Sequence, residues 1–197
     1  MTINEIKNKL ENLESVKIGD LTLRLEPDED AENPLDHDCS MATFVCFHSR
    51  YNLLGSRGHP YRSDMFNGWE DLRKAILRDN KVWCMRPLYL YDHSGLTIST
   101  TLFSCPWDSG QVGFVFYTKE MVTAIRGWKN TSANRLKEVE KMLLYDVEVY
   151  DKYLRGEVYS YVIADKDGGV KDACGGFYDA ESAAYACLNF SDVKLEL

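Results

Sequence analysis

Three tight turns punctuate this chain, each set between runs that alternate or are strongly apolar. Gly19-Asp20 separates "VKI" from "LTLRLE", His93-Ser94-Gly95 separates "PLYLYD" from "LTISTT", and Asp167-Gly168-Gly169 separates "VYSYVIADK" from "VKDACGGFY". Connections this short join antiparallel neighbours, because a parallel pair needs a crossover of about a dozen residues or more. Three hairpins therefore predict antiparallel sheet and exclude a regular βαβ alternation. The helical signals fall between the hairpins and do not alternate with single strands. The expected class is α+β: a mostly antiparallel sheet built from hairpins, packed against one long and several short helices.

The helices announce themselves by spacing. Ile3, Ile6, Leu10 and Leu13 mark a short amphipathic helix over 3–14, and Trp69, Leu72 and Ile76 mark another in "GWEDLRKAILRDN". Thr118 to Arg126 reads as a short helix stopped by Gly127. The longest spans 133–154, where Leu136, Val139, Leu143, Val147, Tyr150 and Leu154 recur at threes and fours before Gly156. A last helix starts at Asp179, a good capping residue. "MATFVCFHSRY" (41–51) has two apolar faces and reads as a central strand that emerges into a polar end, His48-Ser49-Arg50-Tyr51-Asn52. "VGFVFYT" is another apolar strand, and Gly175-Gly176 marks a bulge in the third hairpin. A chain of 197 residues then makes a single domain over 1–197, with an acidic loop at 26–40 and a long loop at 52–68.

Charge is the most uneven property of the sequence. Of 31 acids, seven crowd into 26–38: Glu26, Asp28, Glu29, Asp30, Glu32, Asp36 and Asp38. The rest of the chain is nearly neutral, although the net charge is −8. A protein that grips nucleic acid through its phosphates presents a basic face, so direct nucleic-acid binding is not expected. No apolar run approaches the roughly 18 residues of a membrane span. The N-terminal "MTINEIKNKLENLE" has no signal-peptide centre, so a cytoplasmic protein is expected. Six cysteines without a CxxC pair, and four histidines without zinc-finger spacing, predict reduced core thiols and neither metal nor cofactor.

One span does carry the alphabet of a hydrolase. "YDHSGLTISTTLFSCPWDSGQ" (91–111) holds Asp92, His93, Ser94, Cys105 and Asp108. Contiguous Asp92-His93-Ser94 makes a poor triad, since neighbouring side chains at a strand end diverge. A hairpin turn explains them more simply. A split site is the stronger catalytic alternative: Cys105 as nucleophile, His93 or His48 as base, Asp108 as orienting acid. Against it, Pro106 removes the backbone N–H that often serves an oxyanion, and no helix begins there to activate the thiol. The bland reading has Cys105 buried, Trp107 as a packing anchor and Asp108 closing a turn.

The runs "MATFVCFHSRYNL", "PLYLYDHSGLTISTTLFSCPWDSGQVGFVFYTKE", "YDVEVYDKYLRGEVYSYVI" and "DACGGFY" resemble an uncharacterised protein family of bacteriophages and bacterial mobile elements. The resemblance covers roughly residues 26–190 and transfers no catalytic residue. It implies a small accessory protein that works inside a bacterium by binding a host protein. Inhibition of a defence system, of the anti-CRISPR or anti-restriction type, is the expected role. A nucleic-acid-binding defence complex is the kind of partner that an acidic patch would suit. The contact residues would be Glu26, Asp28, Glu29, Asp30, Glu32, Asp36 and Asp38 together with Trp107 and Asp108. The alternatives are a small hydrolase or nuclease using Cys105, His93 and Asp108, and a structural or assembly protein.

Overall fold

The computed structural model describes residues 2–36, 41–52, 54–190 and 193. Their order is α1 (Ile3–Glu11), β1 (Val16–Ile18), β2 (Leu21–Pro27), β3 (Thr43–Cys46), a 3-10 turn (Ser63–Met65), α2 (Trp69–Asp79), β4 (Val82–Asp92), β5 (Leu96–Ser99), β6 (Ser109–Thr118), α3 (Lys119–Arg126), α4 (Ala133–Leu154), β7 (Tyr159–Ala164), β8 (Val170–Phe177) and α5 (Ala180–Leu188). The class is α+β, and every strand pairing is antiparallel. The sequence led us to expect a single domain over 1–197. Its contacts cluster into two compact units, residues 1–32 with 156–197 and residues 33–155.

The first unit holds a sheet ordered β1-β2-β7-β8. The Gly19-Asp20 turn makes β1 and β2 neighbours, with Ile18 opposite Leu21. At the third hairpin the Asp165 N–H donates to the Gly169 carbonyl at 2.8 Å, closing the turn. The core packs α1 and the Ala-rich α5 on β2 and β7 through Ile6, Leu10, Leu23, Ile163, Ala183, Ala184 and Cys187. In β8 the pairing steps from Phe177 to Cys174 while β7 steps only from Tyr159 to Tyr161, so the extra residue lies at Gly175-Gly176. The bulge is held by Asp28, whose Oδ2 accepts from the Gly176 N–H at 2.7 Å. A Cβ on Gly175 would stand 2.3 Å from that oxygen, so a larger residue there would push the Asp28 carboxylate from this position.

The second unit holds a sheet ordered β3-β6-β4-β5. Its central strand β6 is buried from Val112 to Tyr117, which accounts for the unbroken apolar run there. On one face α4 packs Val139, Leu143, Val147 and Tyr150 against Phe44, Leu90, Val115 and Tyr117. On the other face α2 packs Leu72, Ala75 and Ile76 against Val45, Phe114 and Phe116. Thr118 and Ser132 cap α3 and α4 through their side chains, and Gly127 ends α3 in the left-handed region at φ 70°.

Two expectations about strands are corrected. The 41–51 segment is strand only over Thr43–Cys46, and it lies at the sheet edge rather than in the centre. Its two apolar faces come from burial by helices, not from strands on both sides. The open edge is covered by the following loop: the Phe44 N–H donates to Ser56 Oγ at 2.9 Å, and the Ser56 N–H donates to the Phe44 carbonyl at 2.8 Å. Gly55, at φ +90°, passes so close that a Cβ would lie 2.7 Å from the Phe44 oxygen. The second concerns the hairpin strand "PLYLYD", which begins earlier, at Val82, so that "VWCMR" nearly doubles its length.

The 26–40 stretch is likewise not all loop, because Glu26 and Pro27 close β2 and pair with Ser160 and Tyr159. The 52–68 loop carries core residues of its own, Leu54 and Tyr61.

Candidate functional site

The β4–β5 hairpin, the start of β6 and the loop 100–108 meet at one end of the second unit. Asp92 to Gly95 forms the expected turn, with Ser94 in the left-handed region at φ 58° and the His93 N–H donating to the Gly95 carbonyl. The Asp92 carboxylate is not offered to His93 or Ser94. Its Oδ2 accepts from the Arg50 guanidinium and from the Tyr51 hydroxyl at 3.0 Å. The contiguous triad does not form.

The split constellation does come together, in the wrong order for catalysis. The Asp92 N–H donates to the Asp108 carbonyl at 2.8 Å, which lays the start of β6 beside the hairpin tip. Asp108 Oδ2 then accepts from the Cys105 thiol at 3.5 Å and sits 3.3 Å from His93 Nδ1. An activated nucleophile needs the base beside it and the acid behind the base. Here the carboxylate is in the middle, and the thiol and the ring both contact the same oxygen. His48 does not join them: its Nδ1 accepts the Arg50 N–H at 3.2 Å, and its ring stacks on Tyr51 at 4.8 Å.

What this arrangement does is brace a loop. Besides the Asp108 contacts, the Ser109 hydroxyl donates to the Cys105 carbonyl, and Tyr91 stacks with Phe103 at 5.6 Å and with His93 at 5.9 Å. The inner side of the 100–108 loop is thus tied to β4 at several points. Its outer side is apolar and uncovered. Trp107 is 91% exposed and Leu102 is 75% exposed. The bland reading of this span does not hold for Trp107, which is no packing anchor, and Cys105 is half-buried rather than buried.

The acidic residues do not act as one free patch. Glu26 Oε2 lies 3.1 Å from Arg24 Nε, Asp28 holds the β8 bulge, and Asp36 Oδ1 lies 3.0 Å from Arg57 Nε. Glu29, Asp30 and Glu32 are exposed. The carboxylates of Glu29 and Asp30 have no partner among the described residues. Asp38 lies outside the described residues, as does Cys39. The division between the two units falls inside this segment, between Glu32 and Asn33.

Sequence reasoning missed the buried acid among the described residues, Asp146 on α4. It is 7% exposed, and its Oδ2 accepts from the Tyr117 hydroxyl at 2.6 Å and the Ala42 N–H at 2.8 Å. Burial raises its carboxyl above the ordinary range, while the two hydrogen bonds work in the opposite direction. Burial and the neighbouring carboxylate both push the Tyr117 hydroxyl up. The signal was present in the sequence: Asp146 stands on the apolar stripe of Leu143, Val147 and Tyr150.

Burial raises the Cys46 and Cys187 thiols to about 12, as expected of core residues. Among the described residues, no group of three or more His, Cys, Asp or Glu side chains is arranged to hold a metal ion. No helix among them is long and apolar enough to cross a membrane. In comparisons with protein-family models, curated proteins and solved structures, the chain matches none.

Proposed function

We propose that this chain acts by binding a protein partner through the 100–108 loop. It would serve as a cytoplasmic accessory protein of mobile-element type that inhibits a bacterial defence component. The observation that carries the reading is Trp107, 91% exposed on a loop whose other side is fastened by Asp108, Cys105, His93 and Ser109. A large apolar ring held in water by a pre-arranged loop loses little entropy when a partner covers it, and tryptophan is enriched among the residues that dominate binding energy. Leu102 adds apolar area on the same loop. The net charge of −8 and the uncompensated carboxylates of Glu29 and Asp30 favour a partner with a basic face, such as a nucleic-acid-binding complex. The mobile-element setting and the defence target come from the family resemblance.

The test is capture from a bacterial lysate with four forms of the chain: native, Trp107→Ala, Glu29→Gln/Asp30→Asn, and Cys105→Ser. We expect a partner that binds the native chain saturably and is lost with Trp107→Ala. Neutralising the two acids should weaken it in a salt-dependent way, and Cys105→Ser should leave it intact. Equal capture by the native and Trp107→Ala forms would overturn the reading. Loss of capture in Cys105→Ser alone would favour the hydrolase alternative, in which the thiol engages substrate.

A further inference from the structure

The end of β3, where the apolar strand gives way to His48-Ser49-Arg50-Tyr51-Asn52, opens into a cavity that the partner-binding loop does not use. It is a cleft of about 500 Å³, open to solvent and lined by Cys46, Phe47, His48, Ser49, Tyr51, Asn52, Arg62 and Ser63. That volume falls in the range of small-molecule sites. The chemistry of the lining is one-sided. It includes a guanidinium, an imidazole, two serine hydroxyls, a side-chain amide and the Tyr51 hydroxyl, which is donated to Asp92 outside the lining, and no carboxylate, in a chain whose acids outnumber its bases by 31 to 23.

The tautomer of His48 adds to that bias. Its Nδ1 accepts the Arg50 N–H at 3.2 Å, so in the neutral ring the proton sits on Nε2 and that nitrogen is a donor. The ring is held in place by stacking on Tyr51 at 4.8 Å. Arg62 Nε and Nη2 reach Asp64 at 3.2 and 3.3 Å, and that carboxylate is not part of the cavity wall. Phe47 and Tyr51 supply ring surface beside these donors.

We infer that this cavity binds an oxyanion, in particular a phosphate group, through Arg62, His48, Ser49 and Ser63. Arginine and hydroxyl donors lining one cleft are what phosphate recognition requires, and a bound phosphate would compete with Asp64 for the Arg62 guanidinium, an exposed pair of little strength. The phosphate can arrive free or as an ester carried on a flat ring that packs on Phe47 and Tyr51.

Titrations with inorganic phosphate and with phenyl phosphate, followed by amide chemical shifts at constant ionic strength, test the inference and separate the two sources. The forms compared are native, Arg62→Ala, Ser63→Ala and His48→Gln. The Arg62 side chain is 73% exposed, so its removal leaves the fold intact. We expect saturable shifts confined to residues 46–52 and 62–63, weakened about tenfold in Arg62→Ala and less in the other two variants. Tighter binding of phenyl phosphate identifies a ring-bearing ester as the ligand, and equal binding identifies the free anion. The inference is overturned if native protein shows no saturable shift with either probe, or if Arg62→Ala and His48→Gln both bind as the native chain does.

Discussion

Two aspartates of the second unit each gather a hydroxyl or thiol and one further group around a single oxygen, and they do opposite work. Asp146, on α4 and 7% exposed, accepts from Tyr117 on β6 and from Ala42, the residue before β3. Asp108 lies at the surface, with a side chain 40% exposed, between Cys105 and His93. The same chemistry fastens the core in one place and poses a loop in the other. What separates them is water. In the interior an abandoned donor has no substitute partner, whereas at the surface solvent replaces any contact that is removed.

The largest expected effect follows from that difference. Asp146→Ala removes the buried acceptor shared by the Tyr117 hydroxyl and the Ala42 N–H, and should cost about 2 kcal/mol in urea unfolding at neutral pH. Asp146→Asn retains an acceptor and should recover much of that loss. If Asp146→Ala costs no more than Asp108→Ala, the contrast drawn between the two sites collapses.

The pH dependence of stability sharpens the comparison next. The Asp146 carboxyl is raised in the folded state, so the native protein holds its proton more tightly than the unfolded chain does. Its contribution is therefore fully present below the ordinary carboxylate range, near pH 4, and is lost as the pH rises through the folded value. Unfolding midpoints measured from pH 4 upward should show a component that declines with pH. Asp146→Asn should remove that component, and Asp108→Asn should leave it in place.

Asp108→Ala should cost about 1 kcal/mol or less, the range of exposed polar contacts. Its mark should be local: hydrogen exchange of the amides at 101–108 should quicken while those of β6 and α4 stay protected. Uniform quickening across the unit would mean that Asp108 supports the fold and not the loop.

The smallest effect on stability belongs to Trp107→Ala, within about 0.5 kcal/mol, far from the roughly 3–5 kcal/mol of an emptied core tryptophan site. A thermal melt that matches the native chain, alongside lost partner capture, is the expected pair of results. A Trp107→Ala protein destabilised as much as Asp146→Ala would return that ring to a packing role.

Much of this was legible in the residues. The turns at Gly19-Asp20, His93-Ser94-Gly95 and Asp167–Gly169 lie where the hairpins turn, and α4 covers the range its apolar spacing predicted. The Gly175-Gly176 bulge is also where the glycines placed it. These are local features, set by a few neighbouring backbone angles or by one helical period. The sequence reading went astray where a residue's neighbours come from elsewhere in the chain. Two apolar faces on 43–46 implied a central strand, yet the edge is sealed by Ser56 from a loop. Trp107 stood both as a packing anchor and as a contact residue, and only its 91% exposure separates the two. The hydrolase alphabet of 91–111 was brought together, but only the three-dimensional order showed a carboxylate between thiol and imidazole.

By itself, then, the sequence determined the antiparallel character of the sheets, the places of the helices (though α1 ends at Glu11, short of the expected 14) and the concentration of negative charge in one segment. Each of these depends on hydrogen bonds or side-chain periods spanning only a few residues. Tertiary structure alone decided which carboxylates are spent on the fold, as with Asp28, Asp36 and Asp146, and which remain in water. It also decided that Trp107 faces outward and that the end of β3 opens into a donor-lined cavity. Burial and convergence depend on distant chain segments meeting, and no local pattern records which segments those are.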